Sequence, residues 1–250
     1  MDYYVAQNKI AWEHDAYHFW VWQNGTPEER AKKDLENPKG MLKHYARYFE
    51  ETKGLKVANI CGSCGKKAVP LAILGASVTV FDLSEDNKRY ACETAKAAGV
   101  QIDFVVGNVL DIDRNIYEGY FDIVFMEGGI LHYFHDINQF MGMMYRLLKK
   151  GGRMICSDFH PAKTKLNLTG DGLGDYFNSE VIEGEMAHAS FYEEDIRRNF
   201  PKCLIRLYTL SEIMNAVIDQ GFRIQRFEEY PYWENKKLPG EFTIVADREH

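Results

Sequence analysis

Five short apolar runs, rich in β-branched and aromatic residues, recur through the first two thirds of the chain: "KVANIC" (56–61), "SVTVFD" (77–82), "QIDFVV" (101–106), "FDIVFM" (121–126) and "GRMICS" (152–157). Each is too brief for a helix and reads as a strand. Helix-like segments lie between most of them. In "SEDNKRYACETAKAAG" (84–99) Ser84 is placed to cap the start and Gly99 the end. "DINQFMGMMYRLLKKGG" (136–152) opens on Asp136 and closes on lysines and paired glycines. Strand alternating with helix dictates an α/β chain whose parallel sheet is doubly wound, with helices on both faces. The rhythm changes near the end, where a helix "TLSEIMNAVIDQGF" precedes "FRIQRFEE" and "EFTIVAD", joined by "YPYWENKKLPG". That pair is expected as an antiparallel hairpin, giving a mostly parallel, seven-stranded sheet. Residues from about 160 to 205 follow no regular pattern and are expected as an insertion covering a site.

A chain of 250 residues with 46% hydrophobic content can bury one substantial core, so a single domain over 1–250 is expected. Its formal net charge of -7 gives no reason to dock on nucleic acid or on an anionic membrane. The start "MDYYVAQNKIAWEHD" lacks the basic and apolar regions of a secretory signal, and no long uncharged apolar run follows. A cytoplasmic protein, monomer or homodimer, is expected. Five cysteines, an odd number, fit a reducing compartment better than a disulfide framework.

The stretch "VANICGSCGKKAVPLAILG" (57–75) places "CGSCG" at the turn from the first strand into a helix, where open sheets bind ligands. The second strand ends at Asp82, about twenty residues on, the spacing at which a carboxylate meets ribose hydroxyls. Loop and acid together point to an adenosine-like ligand. The dinucleotide pattern G-x-G-x-x-G is incomplete, because Cys61 and Ser63 stand where glycines are expected, leaving Gly62 and Gly65. A second reading of the same residues is redox chemistry at Cys61 and Cys64, with a thiol activated at a helix start. No second C-x-x-C follows, and Cys92, Cys156 and Cys203 are isolated, so no metal is expected.

From these motifs the chain resembles the class I S-adenosylmethionine-dependent methyltransferases, over roughly residues 8 to 247. The family's opening motif, hydrophobic-hydrophobic-acid-x-G-x-G-x-G, lies over Val57 to Gly65, with Asn59 at the acid. The resemblance implies S-adenosylmethionine as cofactor, S-adenosylhomocysteine as product and a small-molecule acceptor methylated at nitrogen or oxygen. It implies cofactor contacts from Asn59, Cys61, Gly62 and Gly65, from Asp82 and Leu83 at the ribose, and from Asn108 and Val109 of "GNVLDI" at the adenine edge. "FDIVFMEGGILHYFHD" resembles the fourth-strand motif and implies Glu127 and Gly128 beside the methionine moiety, with His132 near the transferred methyl. "NKIAWEHDAYHF" resembles the W-D-x-x-A-x-x-Y helix that closes over the cofactor. A helical lid over about 1–52, with Trp12 and Tyr17 in contact, is therefore expected, its rings attracting a sulfonium. His132 and His160 are the candidate catalytic residues, each against an ordinary structural role: hydrogen bonding for His132, anchoring the insertion for His160. An oxidoreductase and a non-catalytic adenosine-ligand protein are the alternatives.

Overall fold

The protein is described by a computed structural model over residues 3–166 and 174–249; residues 167–173 of the expected insertion lie outside that range. The chain opens with helices α1 (Tyr3–Glu13), α2 (Ala16–Asn24), α3 (Pro27–Glu36) and α4 (Pro38–Met41). Strands and helices then alternate: β1 (Lys56–Ile60), α5 (Ala68–Ile73), β2 (Ser77–Asp82), α6 (Glu85–Ala97), β3 (Asp103–Val106), α7 (Arg114–Tyr117), β4 (Phe121–Glu127), α8 (Ile137–Leu147) and β5 (Leu148–Phe159). Next come α9 (Pro161–Lys165), β6 (Val181–Gly184), α10 (Glu194–Arg197), β7 (Cys203–Arg206), α11 (Leu210–Asp219), β8 (Phe222–Pro231) and β9 (Pro239–Arg248).

Seven strands form one sheet in the order β3-β2-β1-β4-β5-β9-β8, while β6 and β7 pair separately. β1 runs parallel to β2, β2 to β3 and β4 to β5. β9 is antiparallel to both β5 and β8. This is the expected doubly wound sheet with its antiparallel hairpin. The inner strands are apolar without alternation because both faces are covered: Val124, Phe125 and Met126 of β4 are all fully buried.

Local signals set the helix boundaries. Ser84 Oγ accepts from Asn87 N at 3.1 Å, and Asp136 Oδ1 accepts from Gln139 N at 2.9 Å, each satisfying a donor that has no partner inside its helix. Reciprocal capping boxes open α3 (Thr26 with Glu29) and α11 (Thr209 with Glu212). Two boundaries differ from the sequence reading. α8 stops at Leu147, because Leu148 already pairs with Phe121 across a register shift and the lysine–glycine run joins β5. The expected helix from Trp12 onward is broken into α1 and α2 by Asp15, whose backbone is left-handed at φ 52°, a conformation that aspartate tolerates better than most residues.

The chain forms two compact units, Met1–Ile112 with Glu185–Lys202, and Asp113–Gly184 with Cys203–His250. In the first, the segment between β6 and β7 is docked on α1 and α2. The His188 ring stacks on Phe19 at 4.7 Å and 22°, His14 lies 4.6 Å from Phe200, and Gln7 Nε2 donates to Lys202 O at 3.0 Å. In the second, β6 and β7 make a short antiparallel ribbon, from Val181↔Arg206 to Gly184↔Cys203. Among the described residues no helix is long and apolar enough to cross a membrane.

Candidate functional site

The turn after β1 keeps a glycine-like backbone at two positions that are not glycine. Cys61 (φ 47°), Ser63 (φ 50°) and Gly65 (φ 76°) are all left-handed, so two L-residues adopt a conformation that sterically favours glycine. At the two glycines themselves a side chain has no room. A Cβ on Gly62 would meet Asn59 Oδ1 at 2.6 Å and Val80 Cγ1 at 2.7 Å, and one on Gly65 would meet Ala91 Cβ of α6 at 2.8 Å.

Asp82 ties this turn to its neighbours. Its Oδ2 accepts from Ser63 N at 2.9 Å; its Oδ1 accepts from Ser84 N at 3.1 Å and Asn87 Nδ2 at 2.9 Å. Burial raises the carboxyl's pKa, and the hydrogen bonds from Asn87, Ser84 and Ser63 oppose that rise without cancelling it. Leu83 is half-buried beside it. Asn108 caps the turn Val109–Asp111: its Oδ1 accepts from Leu110 N at 3.1 Å and its Nδ2 donates to Asp111 Oδ2 at 3.2 Å, while Val109 is buried.

Several aromatic residues of α1 and α2 are packed, although Tyr3 and Trp22 are exposed. Phe19, Trp20, Cys64 and Tyr90 form a buried cluster, with Trp12, Tyr17 and Tyr192 against it. Tyr17 is held to α6, where its hydroxyl donates to Glu93 Oε2 and its N–H to Asp86 Oδ2 at 3.2 Å. The same cluster answers the thiol question. Cys64 lies four residues before α5, not at its first turn, and burial pushes its thiol up to about 11. A thiol so placed stays protonated at neutral pH, so the redox reading loses its nucleophile at this residue.

In the second unit, β4 ends at the half-buried Glu127, and Gly128 (φ 86°) donates its N–H to Ser157 O at 3.1 Å. Asp158, which the sequence reading passed over, organises the following turn. Its buried Oδ2 accepts from Ile130 N at 2.9 Å and Leu131 N at 2.7 Å. The available signal was an acid near the end of the fifth strand in "SDFHP". His132 is half-buried and lines a small cavity of about 20 Å³ with Asp158, Phe159, Thr164 and Tyr208, room for about one water. Burial lowers the pKa of its imidazole, partly offset by the charge of Asp158.

His160 is buried, with Nδ1 hydrogen-bonded and Nε2 close to a carboxylate. Nδ1 accepts from Ala162 N at 3.0 Å as the N-cap of α9, and Nε2 lies 2.9 Å from Glu229 Oε1. This is the geometry of an anchor at the base of the insertion. A second pin on α9 also went unread: the Lys163 ammonium sits 3.7 Å from the Trp233 ring centre, 4.2 Å from Phe159 and 4.9 Å from Tyr232.

Residues 60–156 match a family model described as a methyltransferase domain. Two curated relatives are named ubiquinone biosynthesis O-methyltransferase. That of Maricaulis maris is 33% identical over 109 residues, 42% of this chain and 41% of the relative; that of Paramagnetospirillum magneticum is 28% identical over 119 residues, 45% and 46%. The chain thus matches less than half the length of either. A magnesium protoporphyrin IX methyltransferase from Synechocystis PCC 6803, solved with bound S-adenosylhomocysteine, superposes with a TM-score of 0.63 at 16% identity, covering 98% of this chain and 99% of that one.

Proposed function

We propose that this chain, which has the class I methyltransferase fold and carries a methyltransferase domain over residues 60–156, is an S-adenosylmethionine-dependent enzyme that methylates a small molecule, at oxygen in preference to nitrogen. The observation that carries this reading is the turn at 61–65, which holds left-handed backbone at Cys61 and Ser63 and hydrogen-bonds through Ser63 N to Asp82. A backbone kept in that form against the preference of two side chains fits a nucleoside cofactor approaching main chain directly. The names of both curated relatives support oxygen as the acceptor atom.

In this reading the turn at Cys61, Gly62 and Gly65, with Asn59 below it, receives the cofactor against bare backbone. Asp82 accepts from the ribose hydroxyls, next to Leu83. Hydrogen bonds from Ser63 N, Ser84 N, Asn87 Nδ2 and the Leu83 backbone hold the carboxylate in place and fix its orientation. Asn108 and Val109 border the adenine, with the Asn108 amide engaged in its own turn, so the backbone amide of Val109 is the donor left for the base edge. Trp12 and Tyr17 serve through packing over the turn, since the Tyr17 hydroxyl is bonded to Glu93. Glu127 and Gly128 receive the methionine moiety.

The bound cofactor supplies a methyl group already activated by a positive sulfur. The protein's contribution is alignment, for which effective molarities reach about 10⁵ to 10⁸ M, whereas a general base gives about 10² to 10⁴-fold. His132, neutral at pH 7 because burial lowers its pKa, is the proposed base for the acceptor hydroxyl, taking the proton on a ring nitrogen. His160 keeps α9 in place as its N-cap.

Calorimetric binding of S-adenosylhomocysteine tests the reading. The parent protein should bind it, and Asp82→Ala should weaken binding by about tenfold or more, the order expected for hydrogen bonds to a charged acceptor. Equal affinity in the two proteins would sink the assignment.

A further inference from the structure

We propose that Asn87 and Trp20 are positioning residues for the Asp82 carboxylate, so that the N-terminal helix α2 is a working part of the cofactor site and not only a cover over it. The inference rests on the reading of Asp82 as the nucleoside-binding carboxylate. It starts from a chain of three hydrogen bonds. Trp20 Nε1 donates to Asn87 Oδ1 at 2.6 Å, Asn87 Nδ2 donates to Asp82 Oδ1 at 2.9 Å, and Ser63 N donates to Asp82 Oδ2 at 2.9 Å. Residues 67 apart in sequence are joined by the first of these.

The chemistry of the end groups fixes the direction of the chain. An indole N–H can only donate, and an ionised carboxylate can only accept. Between them an amide fits one way round: oxygen to the tryptophan, nitrogen to the aspartate. Trp20 and Asp82 together therefore set the orientation of the Asn87 amide. Without the indole N–H, a flip that would turn the amide oxygen on the carboxylate is opposed from the Asp82 side alone.

Burial makes the orientation matter. Asn87 is fully buried, and Trp20 and Asp82 nearly so, so water does not replace a missing donor at low energetic cost. Asn87 is further fixed by its own backbone, which donates to Ser84 Oγ at 3.1 Å in the cap of α6. Trp20 is held from its other side. The Lys66 ammonium stands 4.7 Å over its ring while donating to Gln23 Oε1 at 2.9 Å, and the His188 ring lies 6.4 Å away, stacked on Phe19. Docking of α2 and of the segment Glu185–Lys202 is thereby linked to how Asp82 is presented.

The test compares loss of this chain with loss of a neighbouring, partly buried bond that lies outside it. Tyr90 belongs to the same cluster and donates from its hydroxyl to Gly25 O at 2.9 Å. Trp20→Phe, Asn87→Ala, Asn87→Asp and Tyr90→Phe are each assayed for S-adenosylhomocysteine affinity by calorimetry, for stability by urea denaturation, and for turnover at saturating cofactor. Trp20→Phe is expected to weaken binding about threefold and Asn87→Ala about tenfold, with turnover at saturation retained. Asn87→Asp, nearly the same size but a second carboxylate beside Asp82, should weaken it most. Tyr90→Phe should lose stability and keep its affinity. Should Asn87→Ala fail to fold, Trp20→Phe, which removes one N–H and keeps a ring, decides the matter. Parent-like affinity in Trp20→Phe and Asn87→Asp overturns the inference while leaving the Asp82 reading intact. Parent-like affinity in Asp82→Ala overturns the Asp82 reading and the inference with it.

Discussion

Cys61 and Ser63 show how little of a residue's role lies in its side chain when the backbone makes the contact. A left-handed L-residue costs about 1 to 2 kcal/mol through the clash of its Cβ with the next carbonyl oxygen. Glycine removes that clash, yet gives back about 0.4 to 1 kcal/mol by loosening the unfolded chain. Cys61→Gly should therefore gain up to about 1.6 kcal/mol in urea denaturation and keep its affinity for S-adenosylhomocysteine. A clear loss of stability would mean that φ 47° at Cys61 is not strained. His132 carries a prediction of a different kind. Its pKa is lowered by burial, so the neutral, basic form exists above a pKa that lies below the ordinary 6.5. Activity, as kcat/KM, should rise with pH through that value and stay flat above it. In His132→Ala this acid limb should vanish and turnover should fall about 10²-fold, with cofactor affinity unchanged. Retained turnover would remove His132 from the mechanism.

Among the elements, the segment Glu185–Lys202 is the one whose sequence gave least away. Between two short strands it has only helical turns, and its order comes from contacts with α1 and α2. His188 is the centre of that docking. It is buried, it stacks on Phe19, and its Nε2 lies 3.1 Å from His14 O. Burial lowers its pKa; the hydrogen bond to His14 O and the Asp15 carboxylate raise it less, and the His14 ring lowers it further. The unfolded form thus binds a proton at higher pH than the folded one. Stability from this group is full above about pH 6.5, the ordinary value, and is lost as pH falls from there through the lowered folded pKa. Limited proteolysis should cut the segment faster at pH 5.5 than at pH 7.5. In His188→Phe that difference should disappear; its persistence would assign the pH effect to another group. Other histidines with lowered pKa act in the second unit, which is why a local readout is needed.

Across the whole molecule, what could be read in advance was local. Strands of four to seven residues at 56–60, 77–82, 103–106 and 121–127 fall where the apolar runs predicted them, and so do the caps Ser84 and Asp136, whereas the hairpin strands run two residues further into their turn, to Pro231 and from Pro239. Periodicity and caps are written in residues close together in the chain, so they need no knowledge of packing. Asp82 was legible for the same reason, because spacing from a glycine turn fixes it at the end of a strand. Other features had no such signal. Asp15 breaks a helix by a backbone conformation, His160 caps a helix that its neighbours barely announce, and Asp158 matters only once the turn after β4 lies over it. The sequence alone determined the doubly wound α/β order and the turn-and-acid pair, since both follow from short-range steric and hydrophobic rules. Only the tertiary structure decided the orientation of the Asn87 amide, the burial of Cys64 and the partners of His188. Those depend on which distant groups share a dry interior, and an amide, a thiol and an imidazole take their chemistry from that surrounding.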